Sequence, residues 1–153
     1  MGDMLATREQ VLGMSGLAFL EGIRDGDLPP PPISRVLNYR VTEVASGRVV
    51  FRGAPAAEHC NPLGTVHGGW YGTLLDSAMS CAVHTLVPQG SIYTTLEYKV
   101  NVTRAIPIGM EIVAVGEVLH GGRTTGVASG VIRGADDGKV YATGSATCLI
   151  MAG

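Results

Sequence analysis

The sequence predicts an α+β domain: an antiparallel sheet of about six strands covered by one long internal helix, with a helical arm ahead of it. Three observations predict it. A helix-like stretch runs from about His67 or Gly68 to Leu86 and carries one formally charged side chain, Asp76. Four strand-like runs follow, separated by short turns rich in Gly, Pro and Asp, the pattern of an antiparallel meander. Two more strand-like runs precede the helix. One face of such a sheet needs cover, and the long helix is the only element able to supply it.

Taken in order, Thr7 caps a first helix expected to reach about Arg24, with Glu9 and Gln10 in its first turn and Leu12, Leu17, Leu20 and Ile23 as a partly apolar face. Gly26 and the run Pro29-Pro30-Pro31-Pro32 end it, and that run should be extended. Residues 1–32 therefore read as an arm and 33–153 as the folded body. Val36 to Val44 and Arg48 to Arg52 read as strands joined near Ser46-Gly47. Pro55 to Thr65 is irregular. After the long helix, stopped by Pro88 and Gly90, come Ser91 to Thr103, Met110 to His120, Thr124 to Gly134 and Lys139 to Met151. Their turns are Ile106-Pro107-Ile108-Gly109, Gly121-Gly122 and Asp136-Asp137-Gly138.

The 153 residues suffice for one domain with a real core. Hydrophobic residues make up 46% and charged ones 16%, a balance that predicts an oligomer hiding apolar surface between subunits. A net charge of −2 gives no basic surface for nucleic acid. Three cysteines, Cys60, Cys81 and Cys148, lack metal-ligand spacing and read as free thiols in a reducing compartment. The run from Val11 to Leu20 lacks the basic leader and cleavage site of a signal peptide and is too short to span a bilayer. A cytoplasmic protein without a membrane partner is expected.

The chemistry centres on the long helix. A lone carboxylate among Leu74, Leu75, Ala78, Met79, Cys81, Ala82 and Val83 is costly if buried, and its pKa should rise. That makes Asp76 a candidate reaction centre. A helix starting at Gly68-Gly69 offers unpaired N–H groups able to hold negative charge on a carbonyl oxygen; close packing is the alternative use of the two glycines. Eight residues along a helix separate Gly68 from Asp76 by about 12 Å. If both serve one site, they belong to two chains, with two such helices antiparallel across a two-fold axis. The small-residue stripe Gly69, Gly72, Thr73, Asp76, Ser80 suits either a partner helix or close seating on the chain's own sheet. His67 reads as a shaper of the helix start rather than a base. His59 and His84 read as packing residues, and Ser77 and Ser80 sit in no nucleophile turn.

The segment Asn61-Pro62-Leu63-Gly64-Thr65-Val66-His67-Gly68-Gly69 with Leu75-Asp76 resembles the signature of hotdog-fold acyl-CoA thioesterases. The nearer subgroup is the phenylacetate-degradation type, related to the 4-hydroxybenzoyl-CoA thioesterases. Tyr93 to Asn101 with Arg104 resembles that subgroup's third strand, and the likeness covers about Ile33 to Met151. The resemblance implies a sheet wrapped around the central helix and a site shared by two subunits of a dimer or a dimer of dimers. It implies that Asp76 activates water or forms a transient anhydride, that Gly68 offers its N–H to the thioester oxygen, and that Asn61 orients the thioester or the water. Thr95 would hydrogen-bond the water or the acid, with Thr94 beside it. His67 and Gly69 flank the oxyanion donor and join the substrate-binding set. Members often carry proline after the third-strand arginine, where this chain has Ala105.

Coenzyme A carries phosphates, so cations should rim the site. Arg104 and Arg123 lie at strand ends or turns, and Gly122 either lets the pantetheine chain approach the backbone or simply makes a hairpin. A thioester is already activated, so no cofactor or metal is required. The expected reaction is hydrolysis of an aromatic or medium-chain acyl-CoA to the free acid and coenzyme A. Trp70, Tyr71, Met79 and Tyr98 either line the acyl pocket or pack the core. The competing reading is a non-catalytic acyl-CoA binder on the same fold, for which a buried acid has no use.

Overall fold

Residues 5–153 are described by a computed structural model. The element order is α1 (Arg8–Leu12), α2 (Gly16–Asp25), α3 (Pro32–Val36), β1 (Tyr39–Ala45), β2 (Arg48–Gly53), a 3-10 turn (Ala57–His59), α4 (Gly68–His84), β3 (Ser91–Val102), β4 (Ile112–Gly121), β5 (Thr125–Gly134) and β6 (Val140–Ala152). The six strands form one antiparallel sheet in the order β1-β2-β4-β5-β6-β3.

The N-terminal arm differs from the expectation of one helix. Thr7 caps α1 with a full capping box to Gln10, but the helix stops at Gly13 and a second starts behind Ser15, whose hydroxyl accepts from the Ala18 N–H at 3.3 Å. A second capping residue followed by good helix formers restarts the turn. Gly26, in the left-handed conformation at φ 86°, closes α2. The proline run is not extended to its end. Pro32 opens the short α3, the position where a missing N–H costs nothing, so β1 starts at Tyr39 rather than Val36.

The turn expected to join β3 to β4 as a hairpin is instead a crossover. β3 pairs with β6 from Ser91↔Ala152 to Val102↔Ala142, while β4 lies beside β2. Ile106, 3% exposed, pins the crossover to α4, its N–H donating to the Tyr71 hydroxyl at 2.9 Å. Alternation and short turns specify antiparallel strands, but not which strands become neighbours.

Three glycines let α4 sit deep in the sheet. Gly116, Gly130 and Gly144 face one another in register on β4, β5 and β6. A Cβ at Gly116 would fall on the Ala78 carbonyl, and one at Gly130 would lie 2.8 Å from Met79 Cγ. The helix therefore buries Leu74, Leu75, Ala78, Met79 and Ala82 completely. Trp70 and Tyr71 are also core residues, and the Trp70 ring N–H donates to the Leu37 carbonyl at 2.9 Å. The core thus claims three of the four residues considered for an acyl pocket. Tyr98 lies half-exposed with its ring against Gly72.

Candidate active site

The strip of α4 left uncovered by the sheet lies between its two edges, β1 and β3. Asp76 faces β3, and Thr95 Oγ1 donates to its Oδ1 at 2.9 Å. The other carboxylate oxygen accepts no hydrogen bond from the described residues. Partial burial raises the Asp76 pKa above 3.8, opposed by the Thr95 hydrogen bond. The group is thus held by one oxygen and open at the other.

A bulge makes that geometry. The register of β3 on β6 shifts between Thr95 and Glu97, leaving Leu96 as the extra, exposed residue. Tyr93 and Thr95 face the helix before the bulge; Tyr98 and Val100 face it afterwards. Thr94, next to Thr95, is exposed, and Glu97 on the outer face accepts from Thr147 Oγ1 at 3.0 Å.

The start of α4 carries the second feature. His67 is its N-cap, and its Nδ1 accepts the Gly69 N–H at 2.8 Å, which leaves the ring proton on Nε2. The Trp70 N–H goes to the His67 carbonyl at 2.9 Å. The Gly68 N–H has no acceptor among the described residues, and a Cβ built at Gly68 would meet nothing within 4 Å. One exposed donor is therefore free at the positive end of the helix.

Ahead of it, Asn61 organises the loop. Its Oδ1 accepts the N–H groups of Leu63 and Thr65 at 2.9 and 3.3 Å, and its Nδ2 donates to Thr65 Oγ1 at 2.8 Å. Arg104 lies just past β3, 5.8 Å from the centre of the Tyr141 ring, and shares a surface cleft with Thr65 and Gly68. Tyr141 is itself fixed by donating to Asp137 at 2.7 Å.

Within one chain the expected residues form three groups. Asp76 and Thr95 meet at mid-helix. Gly68, Gly69, His67, Asn61 and Arg104 gather at the start of α4. Gly122 and Arg123 sit in the β4–β5 hairpin, with Gly122 donating to the Thr125 carbonyl at 2.8 Å. The neighbouring Gly121 touches Leu86, past the far end of α4. The span from Gly68 to Asp76 remains about 12 Å along the axis.

Sequence reasoning overlooked the side of Asp76 that faces β1. The Tyr39 and Ser77 hydroxyls are 2.9 Å apart there, beside Cys81. Burial pushes the Cys81 thiol up to about 12, with the Asp76 charge adding to the shift; burial likewise raises Tyr39, with a small contribution from Asp76. The signal available was position: Ser77 and Cys81 share one helix face, one residue around from the acid. His84 is buried between the Phe19 and Tyr93 rings, at 5.5 and 4.7 Å, and burial depresses its pKa to about 4. His59 Nδ1 accepts the Ala56 N–H, and its ring stacks on Trp70. Among the described residues no cluster of three or more His, Cys, Asp or Glu is placed to hold a metal, and no helix is long and apolar enough to cross a membrane.

The Thioesterase superfamily profile matches residues 63–141, from the Leu63 loop to the start of β6. Acyl-coenzyme A thioesterase 13 of Mus musculus is 30% identical over 119 residues, covering 76% of this chain and 84% of that protein. A thioesterase family protein from Silicibacter pomeroyi superposes with a TM-score of 0.78 at 26% identity, covering 88% of this chain and 99% of that one. A mutant of the phenylacetic acid degradation protein PaaI from Thermus thermophilus superposes at 0.70 and 26% identity, over 77% and 97% of the two chains. The sheet wrapped on α4 is the hotdog arrangement these proteins share.

Proposed function

The chain belongs to the Thioesterase superfamily and is a thioester hydrolase, and from that premise we propose that its substrate is an acyl-CoA whose thioester reacts between Asp76 of one subunit and Gly68 of another. The observation that carries this reading is a half-satisfied carboxylate on the same helix that ends in one free N–H. Too far apart within a chain, they meet if two α4 helices run antiparallel across a two-fold axis.

The thioester oxygen accepts from Gly68 N–H, where developing charge is met by a fixed donor and the helix dipole. Asp76 removes a proton from water as the water attacks the carbonyl carbon, or attacks that carbon itself to give an anhydride that water then opens. In either route the C–S bond breaks, coenzyme A leaves as the thiolate, and the free acid remains. Thr95 fixes the carboxylate. Asn61, having built the loop, aims the thioester. Arg104 beside Gly68 and Arg123 on the far hairpin offer cations for phosphates. The reaction needs no cofactor.

Edge strand β3 supports a dimer. It runs twelve residues with an outer side unpaired among the described residues and exposes Leu96, Tyr98 and Val102; nearby, Leu63 in the loop before α4 is 88% exposed. A long apolar edge left bare invites pairing with a second copy. The free cysteines Cys60, Cys81 and Cys148 support a reducing, cytoplasmic setting. A thiol-release assay over acetyl-, hexanoyl-, phenylacetyl- and palmitoyl-CoA tests the reading. Release from at least one is expected, and none from any would overturn it.

A further inference from the structure

A partly open, mainly apolar cavity of about 170 Å³ lies beneath the N-terminal arm, with Arg24 and Arg40 also on its lining. Leu20 and Ile23 of α2 wall it on one side, Phe51 of β2 and Cys81 of α4 on the other, and the Tyr39–Ser77 hydroxyl pair stands at its edge. Ser77 follows Asp76 directly, so the cavity begins one residue around the helix from the carboxylate.

The arm is a fixed wall. The Gly16 N–H donates to the Val87 carbonyl at 2.9 Å, and a Cβ on Gly16 would fall on the His84 carbonyl. Leu20 is 3% exposed. An apolar cavity left unfilled in an otherwise close-packed molecule lowers stability in proportion to its volume. Its presence beside a reaction centre indicates an apolar occupant. A cavity of roughly 150 Å³ lined by Leu, Ile and Phe is enough for benzene.

We propose that this cavity is the acyl pocket, and that α2 closes it at a depth fitting one aromatic ring or a chain of about six carbons. The proposal rests on the hydrolase reading for the thioester end of the substrate and on the cavity alone for its tail. Leu20 and Ile23 are then specificity-determining residues supplied from outside the sheet-and-helix body. Long-chain acyl groups are excluded because the arm stands across their path.

Thioether analogues of acyl-CoA, which cannot be hydrolysed, separate the tail from the chemistry. Calorimetry would compare S-methyl-, S-hexyl-, S-(2-phenylethyl)- and S-dodecyl-CoA on the full chain, on Ile23→Trp and on Ile23→Ala. The wild type is expected to bind the hexyl and phenylethyl compounds roughly tenfold or more tighter than methyl, with no further gain for dodecyl. Ile23→Trp, filling the cavity, should erase that gain and leave S-methyl-CoA unchanged. Ile23→Ala, enlarging it, should move the optimum to longer chains. Length-independent binding by the wild type, or a hexyl preference that survives in folded Ile23→Trp, would overturn the proposal. If Ile23→Trp fails to fold, an Ile23→Ala variant with an unmoved optimum does the same. Thiol release measured in parallel keeps the two readings apart: tail preference without turnover of any acyl-CoA sinks the hydrolase and leaves the pocket standing.

Discussion

Gly68→Pro isolates one hydrogen bond. Gly68 is the first residue of α4, the helical position that tolerates proline best because its N–H has no intrahelical partner. The residue before it is already suited to proline, since His67 lies at φ −61°, ψ 138°. The added Cβ meets open space, since one built at Gly68 has no atom within 4 Å. The fold should therefore survive, and a stiffer unfolded chain should stabilise it by about 0.4–1 kcal/mol. What disappears is the one donor at this helix end without an acceptor among the described residues, because His67 takes the Gly69 N–H. Loss of a single oxyanion donor costs about 2.7–4 kcal/mol in the transition state, which is roughly a 10²–10³-fold fall in kcat. Thiol release under saturating acyl-CoA reads that fall, and thermal denaturation reads the fold. Gly68→Ala is the control, since it keeps the N–H and adds comparable bulk. Wild-type kcat in folded Gly68→Pro would refute the reasoning, as would an equal loss in Gly68→Ala.

Three further predictions concern the parts around it. Thr95→Val keeps the shape and removes a hydrogen bond to a charged group, worth about 1.5–3 kcal/mol; the Asp76 pKa should climb further, and the acid limb of the pH–rate profile should move to higher pH. Gly116→Ala drives a methyl into the Ala78 carbonyl, so α4 must lift from the sheet; overpacking of about 1–3 kcal/mol should lower Tm by about 2–4 °C per kcal/mol, with a loss of turnover as Asp76 moves off Thr95. An unchanged Tm would show that the helix is not seated as described. Mixing Gly68→Pro chains with Asp76→Asn chains, each inactive alone, should restore about a quarter of wild-type turnover after subunit exchange, because half the dimers then hold one intact site of two; no recovery despite demonstrated exchange would place both groups in one chain.

The long helix and the six strands are legible in the sequence because punctuation is strong there: Pro88 and Gly90 end α4, and Gly-Gly and Asp-Asp-Gly turns separate alternating runs. Strand neighbours are not legible. The placement of β3 beside β6 depends on the Ile106 crossover docking on Tyr71, a tertiary contact with no local signature. The Leu96 bulge is hidden for the same reason, since a strict two-residue alternation cannot show where it changes phase. Alternation puts Thr94 and Thr95 on opposite faces without saying which face meets Asp76; the family resemblance points to Thr95. The break at Gly13 and the restart behind Ser15 were legible as a second cap, as was the helix start at Pro32; helical periodicity and the proline run masked both. The cavity under α2 could not be read at all, because its walls come from five separate segments brought together only by folding.

The central claim is that Asp76 carries the reaction, and Asp76→Asn tests it most directly. The amide keeps an oxygen for Thr95 but loses the charge. Turnover of every acyl-CoA should fall about a hundredfold or more, as for loss of a catalytic base. Stability should move the other way. Because the folded state raises the Asp76 pKa above 3.8, the folded protein holds its proton longer than the unfolded chain. Wild-type stability therefore declines as pH rises from about 3.8 through that raised value, and the deficit persists at neutral pH. The variant lacks this term, so its Tm should match the wild type in acid and exceed it at pH 7. Unchanged turnover in a folded Asp76→Asn protein would contradict the account.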